Sequence, residues 1–260
     1  MDYTVPLIQT KLQRPVQSID PVPRPRLMEW LDQHWKRPLT LVSAPAGYGK
    51  STLISEWVRS LDCPSAWLSL DQYDNDLRVF LDYFITAIRS IHPEKLTETR
   101  ALLGAPEMPP LRYLSGSLIN ELNEIEGEYV LVLDDYNLIE LQPIHDLVNE
   151  LIQYAPQGMH LVLCTRMDPP LPLIKLRATG QISEIRGQDL SFTVDEAHLL
   201  VQNLLRTQID MQETNKLVAQ SEGWVTGIRL AALAQRLRKG NEDVKGSLSV
   251  DNRYVVDYLV

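Results

Sequence analysis

Cysteine is scarce in this sequence, since Cys63 and Cys164 are the only two among 260 residues. Two thiols are too few for a disulfide scaffold, which excludes the small disulfide-stapled secreted proteins. Each cysteine lies beside an apolar run, so we predict two small buried thiols, with a redox or metal-binding role as the alternative. The scarcity indicates a reducing compartment, and we expect a cytoplasmic location.

Long hydrophobic runs and basic runs are also missing. No segment reaches the roughly 20 apolar residues of a membrane-spanning helix, and the first residues lack the basic and apolar regions of an export signal. The 34 acidic and 25 basic residues leave a net charge of −9, which opposes binding to a nucleic-acid backbone. We therefore expect a soluble protein that binds neither a membrane nor, through this chain, nucleic acid.

The apolar residues, 44% of the chain, are enough for a sizeable core and recur in regular patterns. Helical periodicity alternates with five short apolar runs that predict strands. The predicted strands are residues 39–43, 65–70, 129–133, 160–166 and 182–185. A continuous apolar run such as the third is typical of a strand buried on both faces of a parallel sheet. The alternation predicts an α/β fold, a doubly wound five-stranded parallel sheet followed by a small all-helical unit.

Changes in composition divide the chain into four segments. Proline is dense near the start, so we expect residues 1–26 to be an extended lead-in rather than helix or sheet. Residues 27–189 carry the alternating strands and helices. Residues 190–240 show only helical patterns, opened by a capping box, and we call this segment the annex. Residues 241–260 are a polar linker and an apolar helix start, which predicts that the sequence continues in a longer protein.

The segment from Ala44 to Ser51 matches the phosphate-binding loop of P-loop NTPases: a small residue, four positions, then Gly-Lys-Ser. Gly47 and Gly49 allow the backbone to turn its N–H groups toward a phosphate, and the following helix directs its positive end there. Lys50 supplies a mobile charge for the β- and γ-phosphates, and the Ser51 hydroxyl a ligand for Mg²⁺. The predicted nucleotide-binding residues of this segment are Ala46, Gly47, Tyr48, Gly49, Lys50, Ser51 and Thr52.

Two carboxylates follow the third predicted strand, at the edge where doubly wound sheets present their ligands. We predict that Asp134 holds Mg²⁺ together with Ser51, and that Asp135 is the general base for an attacking water. The alternative is a pair of acids at a turn with no role in catalysis. Without the P-loop nearby, that alternative would be preferred.

Arg166 ends the next predicted strand, beside the expected γ-phosphate position. A fixed guanidinium there distinguishes a triphosphate from a diphosphate, so we place Arg166 with Lys50 and Asp135 in the catalytic set. A surface arginine is the alternative, in which case Thr165 carries the polar contact.

Several segments occur in a characteristic order. They are TKLQRP, VPRPRL, SAPAGYGKSTLISEW, WLSLDQYDND, LVLDDYNLI, TRMDPPLPLIKLRATGQISEIRGQDLSFTVDEAHLL and EGWVTGIRLAAL. Together they resemble the large ATP-binding regulators of the LuxR type, the MalT-like branch of the STAND signalling NTPases. The resemblance covers nearly the whole chain.

The resemblance implies roles for further residues. The basic motif before the P-loop contacts the nucleotide in this family, which points here to Val22, Arg24 and Arg26. The acidic pair and the sensor arginine of the family correspond to the three residues already assigned above. In related plant and animal NTPases a Gly-x-Pro segment of the annex packs near the adenine, whereas this chain has Gly227-Ile228-Arg229. Trp224 is an alternative contact, although a core role is equally compatible with the helical spacing.

The resemblance also implies a switch: a resting monomer that holds ADP, exchange for ATP, self-association of the full-length protein, and slow Mg²⁺-dependent hydrolysis as the reset. It implies that DNA is bound only through a C-terminal domain absent from this sequence, and that residues 253–260 begin a winged-helix segment. Few arginines follow the last strand to form a lid, which disfavours the alternative of a small-molecule phosphotransferase. A STAND protein with another output, such as defence, is a further alternative.

Overall fold

The computed structural model describes residues 6–16 and 20–239, and its centre is a sheet of five parallel strands. The strands are β1 (Leu39–Ser43), β2 (Ser65–Ser69), β3 (Tyr129–Asp134), β4 (Met159–Thr165) and β5 (Ile182–Arg186). Their order in the sheet is β2-β3-β4-β1-β5, and every neighbouring pair is parallel. The predicted doubly wound five-stranded sheet is confirmed.

Helices connect the strands, because parallel neighbours need crossover connections. They are α1 (Pro25–His34), α2 (Lys50–Ser60), α3 (Leu77–Ile91), α4 (Thr97–Leu103), α5 (Leu111–Asn123), α6 (Gln142–Gln153), α7 (Leu173–Ala178), α8 (Gly187–Leu190), α9 (Val194–Leu205), α10 (Met211–Ser221) and α11 (Val225–Lys239). Apart from the single turn α8, which no periodicity indicated, these correspond to helical patterns in the sequence. Every helix of the described residues is too short or too polar to cross a bilayer.

Both faces of the sheet are covered, and the alternation along the strands assigns each side chain to a face. In β3, Leu131 and Leu133 belong to the apolar cluster beneath α3, α5 and α6. Val130 and Val132 belong to the opposite cluster, which α1 and α2 cover. Cys164 is buried in this second cluster as predicted, whereas the prediction was wrong for Cys63, which is half-buried in the loop before β2.

The annex forms an apolar cluster of its own from α9, α10 and α11, with Phe192, Leu200, Leu217 and Ile228 among its buried residues. The capping box opens α9, with the Thr193 hydroxyl accepting a hydrogen bond from the backbone N–H of the residue three positions on. The final segment, 241–260, lies outside the described residues, as does the predicted winged-helix start.

The lead-in is less extended than predicted, because Gln9–Leu12 forms a turn of 3₁₀ helix. Lys11 in this turn lies with its Nζ 2.6 Å from both carboxylate oxygens of Asp74 and 4.3 Å from the centre of the Tyr83 ring. Further along, the carbonyl oxygen of Pro15 accepts a hydrogen bond of 3.2 Å from the hydroxyl of Ser55 on α2. These contacts fasten the lead-in to the core.

Candidate functional site

The P-loop joins the end of β1 to the start of α2. Gly47 and Gly49 have φ angles of +79° and +80°, in the left-handed region that favours glycine, and Gly49 is the N-cap of α2. Helix α2 begins at Lys50, so its positive end faces the loop as predicted from the motif. This geometry is suited to an anion.

Lys50 is buried, and its Nζ donates hydrogen bonds of 2.8 Å to the Ala44 carbonyl and 3.1 Å to the Pro45 carbonyl. Burial lowers the pKa of this ammonium group, and no carboxylate of the described residues forms a salt bridge with it. A buried cation without a direct counterion is costly, and a phosphate chain would supply the missing negative charge.

Asp134 at the end of β3 lies beside the first turn of α2. Its Oδ1 accepts a hydrogen bond of 2.9 Å from the Ser51 hydroxyl, and burial raises the pKa of its carboxyl to about 6. Oxygen donors are the ligands that Mg²⁺ takes, and it usually keeps several waters and binds phosphate as well. The two side chains therefore fit a magnesium ion bound with a nucleotide.

Asp135 and Arg166 lie on neighbouring strand ends at the same edge of the sheet. Asp135 is half-buried with φ at +56°, a left-handed conformation that aspartate tolerates better than most residues. Arg166 is exposed, and its backbone N–H donates to the side chain of Asn137. Both charges act on Lys50, the carboxylate raising the pKa of the ammonium and the guanidinium lowering it. Asp135 and Arg166 thus lie close enough to Lys50 to influence the pKa of its ammonium group.

Beside the P-loop, a cavity of about 130 Å³ is enclosed by the lead-in, α2 and the annex. Val22, Gly49, Thr52 and Arg24 line it, so two of the three lead-in residues implicated by the resemblance reach it. Its apolar wall is formed by Val22, Leu53, Phe192, Leu200 and Val225. Charged side chains line the rest of the cavity, Glu56, Arg59 and Arg229 among them. A cavity with an apolar wall and polar groups beside a phosphate-binding loop is suited to the base and sugar of a nucleotide.

Arg24 and Arg26 also bind the annex directly. Both guanidinium groups pair with Glu196, at 3.4 and 3.3 Å, and donate to the carbonyl of Ser191. Arg24 is buried, which lowers the pKa of its guanidinium, and it donates a further 2.8 Å hydrogen bond to the Leu190 carbonyl. Arg26 does not line the cavity. In this arrangement the two arginines tie the lead-in to the annex.

The first turn of α11 contacts the P-loop, and most of this contact was missed in the sequence. The indole nitrogen of Trp224 donates a 2.9 Å hydrogen bond to the Ala46 carbonyl. The backbone N–H and the hydroxyl of Thr226 donate to the Gly47 carbonyl, at 3.1 and 3.0 Å. Trp224 is indicated by its position near the Gly-x-Pro region, whereas Thr226 belongs to the characteristic segment EGWVTGIRLAAL without a predicted role.

Two residues of α11, Val225 and Arg229, line the cavity. The sequence comparison placed the Gly-x-Pro equivalent at residues 227–229, yet Gly227 lies inside α11 against the ring of Trp224. Val225 is the first residue of α11, the position where a helix accepts proline most readily. Both positions face the cavity, but only position 225 would accept a proline without disrupting α11.

Comparison with known proteins gives relatives over nearly the whole chain, although no protein-family model matches it. The chain is 32% identical over 256 residues to the HTH-type transcriptional regulator MalT of Yersinia enterocolitica and 33% identical to that of Serratia proteamaculans. Each alignment covers 98% of this chain and 28% of the regulator. The chain thus spans about a quarter of the length of these relatives.

Solved structures share the fold at low sequence identity. A STAND protein with a tetratricopeptide-repeat sensor from Pyrococcus horikoshii matches with a TM-score of 0.61 at 13% identity, over 88% of this chain and 34% of that one. A Walker-type ATPase of Pyrococcus abyssi matches with a TM-score of 0.58 at 14% identity, over 90% and 73%. At such identities the likeness establishes the P-loop NTPase fold alone.

Proposed function

Because this chain is a MalT-like module with the P-loop NTPase fold, we propose that it binds ATP or ADP with Mg²⁺ as the switch of a longer transcriptional regulator. The observation that carries the proposal is the surroundings of Lys50. This buried cation has no direct counterion among the described residues, and it lies beside a cavity that three segments of the chain line. A nucleotide provides a polyphosphate for the cation and a base for the cavity.

The residues have distinct tasks in this proposal. Lys50 turns from the two loop carbonyls to the β- and γ-phosphates, while the Gly47–Gly49 backbone donates N–H groups to them. Ser51 and Asp134 hold Mg²⁺, which neutralises charge on the phosphate oxygens when bound. Asp135 accepts a proton from the attacking water, and Arg166 faces the γ-phosphate.

We expect this chain to hold a bound nucleotide firmly and to hydrolyse it slowly. The cavity is closed on one side by the annex, which is held to the lead-in through Glu196 and to the P-loop through Trp224 and Thr226. An arginine supplied by a neighbouring molecule commonly speeds phosphoryl transfer by several orders of magnitude, and an isolated module lacks it. We therefore propose slow hydrolysis as the reset of the switch.

The remaining properties belong to the longer protein. Its ATP-bound form self-associates, and a C-terminal domain beyond this chain binds DNA. We place the regulator in the cytoplasm, the location that the scarcity of cysteine also favours. Preference for adenine follows the MalT resemblance.

The test is to denature the purified chain and identify any released nucleotide by anion-exchange chromatography. We expect close to one ADP per chain, and none from the Lys50→Ala variant, which serves as the control. An empty wild-type chain that hydrolyses ATP rapidly over many turnovers would contradict the switch. Transfer of phosphate to an acceptor other than water would instead identify a phosphotransferase.

A further inference from the structure

Residues at the start of α11 donate hydrogen bonds to two consecutive carbonyl groups of the P-loop. Trp224 Nε1 donates to the Ala46 oxygen, and Thr226 donates to the Gly47 oxygen twice, from its backbone N–H and from Oγ1. Every one of these three hydrogen bonds is between 2.9 and 3.1 Å long. The annex therefore contacts the loop backbone itself, and not only the base cavity.

A trans peptide unit points its C=O and its N–H in opposite directions. The Ala46 carbonyl shares its peptide unit with the N–H of Gly47, and the Gly47 carbonyl shares one with the N–H of Tyr48. The chain has no cis peptide bond among its described residues. Holding the two carbonyls toward α11 consequently directs the N–H groups of Gly47 and Tyr48 away from the annex.

Those two N–H groups have no protein acceptor within the described part of the chain. They belong to the segment whose N–H groups bind phosphate in a P-loop. Space is restricted as well, because a Cβ on Gly47 would lie 2.5 Å from the Thr226 hydroxyl and 2.7 Å from the Trp224 nitrogen. Loop and helix thus fit together with glycine at position 47.

We propose that Trp224 and Thr226 are positioning residues for phosphate: they fix two peptide planes of the P-loop so that the N–H groups of Gly47 and Tyr48 face the phosphate chain. The inference rests on the proposed function for the identity of the ligand. It assigns the annex a second task besides lining the base cavity, because movement of α11 changes the order of the phosphate-binding donors.

The test compares Thr226→Val and Trp224→Phe with a matched control, Thr214→Val. Thr226→Val keeps the side-chain shape and removes the hydroxyl donor. Thr214 is also a threonine of the annex, buried and hydrogen-bonded to Asp210 and His198, but it does not contact the P-loop. Each protein is stripped of nucleotide, and ADP and adenosine are titrated by displacement of a fluorescent ADP.

We expect each P-loop-facing variant to bind ADP about five- to tenfold more weakly, the usual effect of one lost hydrogen bond, and adenosine as the wild type does. Thr226→Ser should recover most of the lost ADP affinity, and Thr214→Val should show no selective loss. Unchanged ADP affinity would overturn the inference. So would equal weakening of ADP and adenosine, or equal weakening by Thr214→Val, since these indicate general damage to the annex.

A ligand-free measurement separates this inference from the proposed function. Backbone ¹⁵N order parameters of Gly47 and Tyr48 in the nucleotide-free chain should fall in Thr226→Val and remain at wild-type values in Thr214→Val. A wild-type chain that binds no nucleotide would overturn the proposed function, while the order parameters would still test the positioning. Unchanged order parameters in Thr226→Val would overturn the positioning even if ADP binds.

Discussion

The hydroxyl of Ser51 lies 2.9 Å from Oδ1 of Asp134 and donates a hydrogen bond to it, which joins the first turn of α2 to the end of β3. Asp134 is only 4% exposed and has a second carboxylate, Asp135, as its chain neighbour. Burial, followed by that neighbouring charge, raises the pKa of Asp134 to about 6, so the fold tolerates its negative charge poorly. A raised carboxyl pKa is expected at a cation-binding site when no cation is bound.

Asp134→Asn should therefore stabilise the ligand-free chain at pH 7, by at most about 3 kcal/mol, because the buried charge is removed. The pKa is 3.8 in an unfolded chain and about 6 in the fold, so the charge costs stability above pH 6 and nothing below about 3.8. Urea unfolding at pH 7 measures the gain. The same variant should lose the Mg²⁺-dependent part of its ADP affinity in calorimetric titrations with and without Mg²⁺.

A destabilised Asp134→Asn variant that still depends on Mg²⁺ would contradict this assignment. Ser51→Ala is the matched comparison, since it removes the other proposed magnesium ligand without removing a charge. Ser51→Ala should weaken Mg²⁺-dependent ADP binding. Unlike Asp134→Asn, it should not raise the free energy of unfolding.

Asp135→Asn should leave nucleotide binding within about twofold of the wild type and lower ATP hydrolysis by about 10²-fold or more, because the amide cannot accept the proton of water. Asparagine tolerates the left-handed φ of +56° at this position, whereas alanine would add backbone strain. Single-turnover hydrolysis with nucleotide-stripped protein measures the rate. Lys50→Ala, which should lose binding itself, separates the two effects, and normal hydrolysis by Asp135→Asn would remove this residue from the role of base.

The sheet and the P-loop could be predicted because both are local patterns. The run from Tyr129 to Leu133 is short, partly β-branched and apolar at every position, which is typical of a strand buried on both faces. The Gly-Lys-Ser sequence after β1 likewise fixes a backbone conformation that few other sequences adopt. Asp134 also lies beside the P-loop, although β4 stands between β3 and β1, because the carboxyl ends of parallel strands meet at one edge of the sheet.

What the sequence did not reveal are contacts between distant segments whose residue types are common. Thr226 is one of several threonines on helices, and its hydrogen bond to the Gly47 carbonyl joins residues 179 positions apart. Arg24 was predicted to contact nucleotide, while its partner Glu196 lies 172 positions away and had been noted only as part of a capping box. Lys11 belongs to a segment that its prolines predict to be extended, and no local pattern indicates that this lysine is buried against Asp74.

The pair formed by Lys11 and Asp74 predicts a large stability effect in the lead-in. Asp74 is fully buried and Lys11 nearly so, with Nζ 2.6 Å from both carboxylate oxygens. Lys11→Met leaves a buried carboxylate without its cation, which should lower the free energy of unfolding by about 3 kcal/mol. Urea unfolding at pH 7 measures this loss.

Two comparisons test the origin of that loss. The double variant Lys11→Met with Asp74→Asn should recover much of it, because no buried charge remains unpaired. Asp71, which also pairs with Lys11 at 3.2 Å, is partly exposed and can be solvated. Lys36→Met, in which the lysine of an exposed pair with Glu128 is replaced, should change stability by less than about 1 kcal/mol. Equal effects of the two lysine substitutions would show that burial of the Lys11 pair has no special energetic role.

The surroundings of His160 in β4 predict that acid destabilises the folded chain. It is buried, with Nδ1 2.6 Å from the Arg37 carbonyl and Nε2 3.0 Å from the Thr40 hydroxyl. A carbonyl only accepts, so Nδ1 carries the proton of a neutral ring and Nε2 accepts from the hydroxyl. Burial lowers the pKa of this histidine from 6.5 to about 4.

Between pH 6.5 and about 4 the unfolded chain therefore binds a proton at His160 that the folded chain does not, and stability falls as the pH falls through this window. The full loss is roughly 3 kcal/mol. Asp134 gives the opposite slope between pH 6 and 3.8, so the measurement belongs in the Asp134→Asn background. There, His160→Gln should be less stable at pH 7 yet lose less stability on going from pH 7 to pH 5, as measured by urea midpoints. Parallel pH profiles of the two proteins would mean that folding does not lower the pKa of His160.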